Sequence, residues 1–262
     1  MSEKKNEYAF QVTGLNKRFG PTHANKDINF TLKRGEVRGL AGENGSGKST
    51  LLSQLAGIYI SDSGTILKDG QPYAPDSPLY AIEHGVSIVV QELGLIGNLP
   101  AGINVFLGRT KPFSKFGVVN VKKIQQQANQ ILDKWGLPQV PLHRMAAAMN
   151  VETKKIVELA RALSNDPDIL ILDEVTQALS QDNRVKLHKL IQKYRELGRS
   201  VILITHDLEE MLEITDSTSI LRDGELIETV DSKELDVETL RSKMVGRSLE
   251  GEYYRSDMET SH

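Results

Sequence analysis

The stretch GENGSGKS, Gly42 to Ser49, constrains the fold of this chain more than any other. It fits the spacing of a glycine, four residues, then Gly-Lys-Ser/Thr. It follows the short apolar run EVRGLAG and precedes the helix-compatible KSTLLSQLAG. That order predicts strand, loop and helix, the context in which the pattern carries a mechanism. Gly42, Gly45 and Gly47 let successive backbone N–H groups turn inward around phosphates, and a helix opening near Lys48 adds its positive dipole end. The expected contact set is Gly42, Glu43, Asn44, Gly45, Ser46, Gly47, Lys48, Ser49 and Thr50. Lys48 is assigned to the β- and γ-phosphates, the Ser49 hydroxyl to Mg²⁺, and Thr50 to the α-phosphate. A glycine-rich turn that matches by accident is the plain alternative, and its placement between strand and helix weighs against it.

Three later runs, VSIVVQE, DILILDEV and SVILITHD, are β-rich and apolar and are separated by helical stretches. They predict an α/β fold whose parallel sheet is covered on both faces. Tyr8 to Phe19 and Asp27 to Leu32 alternate apolar and polar residues and predict an antiparallel entry, with the turn-prone GPTHANK between them. Between Gln91 and Leu163 the pattern changes. There VKKIQQQANQILDKWG puts Ile124, Ala128, Ile131, Leu132 and Trp135 on one helical face, and AMNVETKKIVELARAL predicts a second helix. The stretch from about 92 to 163 is therefore expected to be an inserted helical subdomain of one domain spanning 1–246. The polar, aperiodic residues 247–262 are expected to be a tail.

Charge and cysteine content exclude several classes. A formal net charge of −3 over 262 residues offers no basic excess for nucleic acid, which is not expected as a partner. The absence of cysteine rules out disulfides and thiolate metal sites. The opening MSEKKNEY lacks the apolar core of a secretory signal, and no apolar run is long enough to span a bilayer as a helix.

Polar residues at the ends of the apolar runs supply candidate chemistry. Asp173 closes ILILD and can orient a water on Mg²⁺, while the adjacent Glu174 can position or deprotonate an attacking water. His206 follows VILIT, where a donor reaches a γ-phosphate. Gln91 follows VSIVV and can join Mg²⁺ or the water. Singly, each is ordinary: an Asp-Glu pair is usually a solvated turn, and a lone histidine is usually structural. Together they terminate strands of one proposed parallel sheet, beyond whose carboxyl ends ligands bind.

The order of these motifs resembles the ATP-binding cassette (ABC) ATPases over nearly the whole chain, from about Tyr8 to Arg255. In that resemblance GENGSGKST is the Walker A loop, Gln91 the Q-loop, ILILDE the Walker B strand, QALS (Gln177 to Ser180) the D-loop and His206 the switch histidine. Phe19 lies where the family stacks an aromatic ring on adenine. The family implies a P-loop NTPase fold with a RecA-like parallel core, an N-terminal antiparallel β-subdomain and an inserted α-helical subdomain. It implies catalytic roles for Glu174, His206, Gln91 and Lys48, and a metal site at Ser49, Gln91 and Asp173. The phrases VVQELGLIGNLPAGINVFLGR, VELARALS and MVGRSLEGEYYR are similar to importers of ribose, galactose and related monosaccharides, most of which fuse two cassettes. The implied partners are permease subunits, a second cassette and, indirectly, a solute-binding protein. The implied location is peripheral, on the cytoplasmic face of the membrane. Leu95 to Arg109 is the candidate permease-facing segment. A regulatory cassette with negligible turnover and an importer of nucleosides or another small polar solute are the alternatives.

Aligning VELARAL with the family puts Met149-Asn150-Val151-Glu152-Thr153 on the signature, usually Leu-Ser-Gly-Gly-Gln or Leu-Ser-Val-Gly-Gln. Asn150 and Glu152 replace the serine and second glycine that meet the partner's γ-phosphate. A carboxylate about 4 Å from a phosphate charge costs on the order of 4 kcal/mol at an effective dielectric near 20, enough to oppose closure. Lys154 and Lys155 are the candidate compensating cations. The plain alternative is that Asn150 caps the helix and Glu152 favours its positive end. The degenerate signature implies an asymmetric pair with a different, intact cassette. Val175 stands where the family usually has proline after the catalytic acid, and only a local backbone effect is expected.

Overall fold

The computed structural model describes residues 6–92, 94–116 and 118–246. In chain order the first elements are β1 (Tyr8–Phe19), β2 (Thr22–Lys33), β3 (Val37–Ala41), α1 (Lys48–Leu55), β4 (Ser63–Lys68), β5 (Gln71–Pro72), α2 (Pro78–Glu83) and β6 (Val86–Val89). A mostly helical stretch follows: α3 (Ala101–Val105), the short strands β7 (Ser114–Lys115) and β8 (Val118–Val119), α4 (Val121–Trp135) and α5 (Val151–Leu163). The remaining elements are β9 (Ile169–Asp173), α6 (Gln181–Glu196), β10 (Ser200–Ile204), α7 (Leu208–Ile214), β11 (Ser217–Arg222), β12 (Glu225–Asp231) and α8 (Val237–Val245).

The main sheet has the order β12-β11-β3-β10-β9-β6. Its strands run parallel from β11 to β6, and β12 closes one edge antiparallel. A second, antiparallel sheet has the order β2-β1-β4-β5. Alternation along β9 and β10 divides the core. Leu170, Leu172, Val201 and Leu203 pack with apolar residues of α4, α5 and α6. Ile169, Ile171, Ile202 and Ile204 pack with Leu51 and Leu52 of α1 and with Phe10 and Phe30 of the antiparallel sheet. Strands buried on both faces carry no polar alternation, so they read as unbroken apolar runs.

The residues predicted for the apolar face of α4, Ile124, Ala128, Ile131, Leu132 and Trp135, are its buried residues. The Asn120 side chain caps its start by accepting the Lys123 N–H, and Gly136 ends it in the left-handed region. The Trp135 ring lies 4.8 Å from that of Tyr194 on α6, which fastens the helical stretch to the sheet's helices. Truncating a buried aromatic of this size costs about 3–5 kcal/mol.

Two expectations about elements require correction. GPTHANK is not a turn throughout: β2 already begins at Thr22, and Lys17 pairs with Asn25, Arg18 with His23 and Phe19 with Thr22. The turn-prone residues are absorbed by irregularities of this ladder, including a positive φ of 47° at Asp27. The second helix starts at Val151, after an extended Met149 and a separate 3₁₀ turn at Ala146–Ala148. The expected tail, 247–262, lies outside the described residues.

Candidate functional site

The loop after β3 is shaped by close approaches that only glycine permits. Gly47 has φ 100°, and a Cβ there would collide with the Ala24 carbonyl. Gly42 has φ 156°, and a Cβ there would meet the Leu221 carbonyl and the Ser46 side chain. Gly47 is the N-cap of α1, so the loop runs directly into the helix start. Asn25 of β2 fixes this junction. Fully buried, it donates through Nδ2 to the Gly47 carbonyl at 3.1 Å and accepts Gln54 Nε2 at 2.7 Å.

The Lys48 ammonium folds over the loop and donates to the carbonyls of Gly42 (2.8 Å) and Glu43 (2.9 Å). Burial lowers its pKa, and the charges of Glu174 and Asp173 oppose that shift. Glu43, Asn44, Gly45 and Ser49 are exposed, Thr50 is half-buried and Ser46 is buried. Burial raises the pKa of the Asp173 carboxyl, and the nearby Ser49 hydroxyl and Lys48 ammonium oppose that shift. Asp173 Oδ1 and Ser46 Oγ are buried without a hydrogen-bond partner.

Glu174 follows β9 in the left-handed region, φ 53°, and donates its backbone N–H to the Ile204 carbonyl of β10. This turn directs its carboxylate toward the other strand ends. Gln91 Nε2, from beyond β6, donates to Oε2 at 2.5 Å, and Gln177 Nε2 approaches the same oxygen at 3.3 Å. His206 Nε2, from beyond β10, lies 2.7 Å from Oε1. Val175 is fully buried and opens the 3₁₀ turn Val175–Ala178. Lys48, Ser49, Asp173, Glu174, Gln91 and His206 thus gather at the carboxyl ends of β3, β6, β9 and β10.

Phe19, Asn150 and Glu152 stand apart from this cluster in their contacts. Phe19 is 41% exposed, at the far end of β1, and meets the Tyr59 ring edge-on with centroids 5.0 Å apart. Asn150 caps α5, its side chain accepting the Thr153 N–H at 2.8 Å. Glu152 reaches α6 instead. Its Oε1 accepts from the Ser180 N–H (2.7 Å), the Ser180 hydroxyl (2.6 Å) and Asn183 Nδ2 (2.7 Å). The Ser180 hydroxyl, the Ser180 N–H and the Asn183 amide hold this carboxyl below the usual carboxylate range.

Lys155 does not offset the Glu152 charge. Its side chain is 2% exposed, its ammonium lies 2.8 Å from Glu158 Oε2, and it donates to the carbonyls of Val90 (2.8 Å) and Gln91 (3.2 Å). At this position along α5 it faces the sheet, where pairing with Glu158 satisfies its charge. The charge of Lys186 also favours the ionised Glu152 carboxyl, less than the hydrogen bonds from Ser180 and Asn183 do. Sequence reasoning missed Asn25 as the anchor of Gly47, Gln177 as a donor to Glu174, and Lys155 as the holder of the Gln91 backbone. The Asn25 and Lys155 roles depend on contacts distant in sequence, while the Gln177 contact is three residues from Glu174 and depends on the left-handed turn at Glu174.

The model of the ABC transporter family matches residues 25–177. An ATP-binding protein of Burkholderia cenocepacia named for ribose, galactose and methyl galactoside import is 39% identical over 92% of this chain and 47% of its own length. Ribose import ATP-binding protein RbsA of Corynebacterium glutamicum is 37% identical over 95% of this chain and 47% of its own. The chain spans about half the length of these curated relatives. Among solved structures, cbiO1 of Clostridium perfringens, part of the ABC transporter complex cbiONQ, is 28% identical. It covers 91% of this chain and 93% of its own, with a TM-score of 0.69. The dimeric ATP-binding cassette MJ0796 bound to ADP and Pi is 25% identical over 85% of this chain and 98% of its own, with a TM-score of 0.73. With the family matched across more than half its length and the cassette fold along most of it, this chain belongs to the ABC transporter family, as an ATPase cassette.

Proposed function

We propose that this cassette binds and hydrolyses ATP to drive import of a monosaccharide through separate permease subunits. The observation that carries the ATPase chemistry is the convergence of Gln91 and His206 on Glu174 beside the loop that Lys48 covers. Lys48 exchanges its loop carbonyls for phosphate oxygens, and the loop N–H groups and the start of α1 complete the cradle. Glu174 positions or deprotonates the attacking water. Gln91 and His206 fix the direction of its carboxylate, and Phe19 packs on the adenine.

The residues fit a magnesium ion. Ser49, Gln91 and Asp173 offer hydroxyl, amide and carboxylate oxygens, and Asp173 Oδ1 has no hydrogen-bond partner. When bound, the ion neutralises charge on the phosphate oxygens.

Sugar as cargo is supported by the relatives named for ribose and galactose import. Among the described residues no helix is long and apolar enough to cross a membrane; cassettes of this family work with permease subunits, and those subunits supply the membrane path in this reading. Their docking surface is the groove of about 650 Å³ between α2 and the segment after α3, lined by Leu79, Ile82, Phe106, Arg109 and Phe113. It includes the end of the Leu95 to Arg109 segment, and a cassette docked there is peripheral to the membrane, on its cytoplasmic face. The pair is asymmetric, because Asn150 and Glu152 stand at the signature and are engaged within their own chain. A cassette with an intact signature completes the site of this chain.

The test is equilibrium binding of ATP with magnesium to the native chain and to Lys48→Ala, together with isolation of the chain from membranes. Loss of affinity in the variant and copurification of a permease support the reading. Unchanged affinity in the variant removes the loop from the site.

A further inference from the structure

The Glu152 carboxylate is committed to a contact that its place in a signature motif does not explain. The Ser180 N–H, the Ser180 hydroxyl and Asn183 Nδ2 all converge on Oε1 within 2.7 Å. A carboxylate that merely favoured the positive end of its own helix would need no partner on another. Here the donors lie 28 and 31 residues away, at the start of α6. Ser180 is the N-cap of α6, yet its side chain accepts no N–H from the first turn. Its hydroxyl donates to Glu152 instead, so a side chain of α5 ties down the point where α6 begins. That point ends the segment opened by Glu174. Between them lies Gln177, whose Nε2 stands 3.3 Å from Glu174 Oε2.

We propose that Glu152 is a positioning residue acting within its own chain: by clamping Ser180 and Asn183 it holds the Val175–Leu179 segment, and with it Gln177, against Glu174. The consequence for turnover rests on the ATPase reading above; the clamp itself does not. The proposal also changes how the altered signature is understood. The glutamate is then a replacement that secures the loop next to the catalytic carboxylate, rather than a charge directed at a partner's phosphate.

Two measurements on the full chain test the proposal. The first is hydrogen exchange at the Ser180 amide. Losing a charge-assisted hydrogen bond in Glu152→Ala should speed exchange about tenfold or more. Glu152→Gln, whose amide oxygen still accepts the N–H and the hydroxyl, should recover most of the protection. The second is ATP turnover measured beside ATP affinity. Glu152→Ala should lower turnover and leave affinity unchanged, and Glu152→Gln should restore it. In a double-mutant cycle, Glu152→Ala should add little to the loss in Gln177→Ala, since both act through one contact. Unchanged Ser180 exchange in Glu152→Ala overturns the clamp, and so does faster turnover in that variant. If the native chain fails to bind or turn over ATP, the ATPase reading fails, and the exchange measurement still decides the clamp.

Discussion

His206 Nε2 lies 2.7 Å from Glu174 Oε1, across the gap between the ends of β10 and β9. Gln91, beyond β6, takes the other oxygen of the same carboxylate. The sheet order places β9 between β10 and β6, so a carboxylate ending β9 is within reach of both neighbours. The left-handed turn at Glu174 then aims it along the strand ends. A parallel sheet creates this opportunity wherever neighbouring strands end in polar residues, and the phosphate loop beside it supplies the substrate's place.

Glu174→Gln tests the role of this carboxylate. The amide keeps the shape and loses the capacity to take a proton. Turnover should fall by about 10²-fold or more, the usual worth of a general base. Nucleotide affinity should persist, because no phosphate-binding group is removed. Steady-state hydrolysis measured with equilibrium nucleotide binding checks both; equal loss of the two would make Glu174 a folding or binding residue.

Lys155→Met tests the ion pair within α5. Lys155 and Glu158 have side chains only 2% and 6% exposed. Removing the ammonium leaves the Glu158 charge buried and two backbone carbonyls without their donor. The expected cost is about 3–5 kcal/mol, read as a lower denaturation midpoint. Adding Glu158→Gln to the same chain should recover part of it, since the stranded charge is then gone.

Asp166→Asn tests a surface contribution that depends on pH. The Arg199 guanidinium grips Asp166 through Nη1–Oδ1 at 2.7 Å and Nη2–Oδ2 at 3.0 Å, and Lys134 Nζ adds 2.8 Å to Oδ1. Hydrogen bonding from Arg199, then Lys134 and both charges, holds the carboxyl well below the usual carboxylate range. A folded pKa below the unfolded one gives stability that is present above about pH 4 and lost as pH falls through the folded value. The group is nearly half exposed, so the variant should lose only about 0.5–1 kcal/mol at pH 7. The difference should shrink as pH falls below about 4. Asn also tolerates the φ of 53° at this position, so the substitution isolates the charge. Denaturation curves of both proteins across this pH range check the sign.

How much of this was legible in the sequence depends on the range of each contact. The strands β6, β9 and β10 stood out because burial on both faces leaves them largely apolar, and β3 stood out by leading into the glycine-rich loop although it carries the buried Arg38. The Gly42 to Ser49 loop stood out because its glycines are demanded by local geometry. The α4 face was readable from its period alone. By contrast, β4, β5 and β12 carry many half-buried or exposed residues, and their sequences do not declare an orientation. The Glu152 carboxylate was legible as a charge but not as a clamp. Its partners Ser180 and Asn183 are brought near only when α5 and α6 pack. Lys155 was read as a cation that could compensate Glu152, and the carbonyls it serves instead, those of Val90 and Gln91, lie 65 and 64 residues away.

Asn25→Ala tests whether the antiparallel sheet supports the phosphate loop. Asn25 is completely buried and joins two otherwise separate groups, the Gly47 carbonyl at the start of α1 and Gln54 Nε2 further along the same helix. Alanine leaves both without that partner, a loss of about 1–3 kcal/mol in stability. The Gly47 carbonyl also belongs to the peptide whose N–H belongs to Lys48, so a loosened Gly47 misdirects a group in the cradle itself. ATP affinity should therefore fall in Asn25→Ala even under conditions where the variant is fully folded. Asn25→Asp should bind ATP less well still, because its carboxylate faces the Gly47 carbonyl and adds negative charge beside the phosphate loop. Titrating a fluorescent ATP analogue into each folded variant, with a denaturation curve for each, separates the two effects. A variant that loses stability but binds nucleotide like the native chain would reduce Asn25 to a core residue with no hold on the loop.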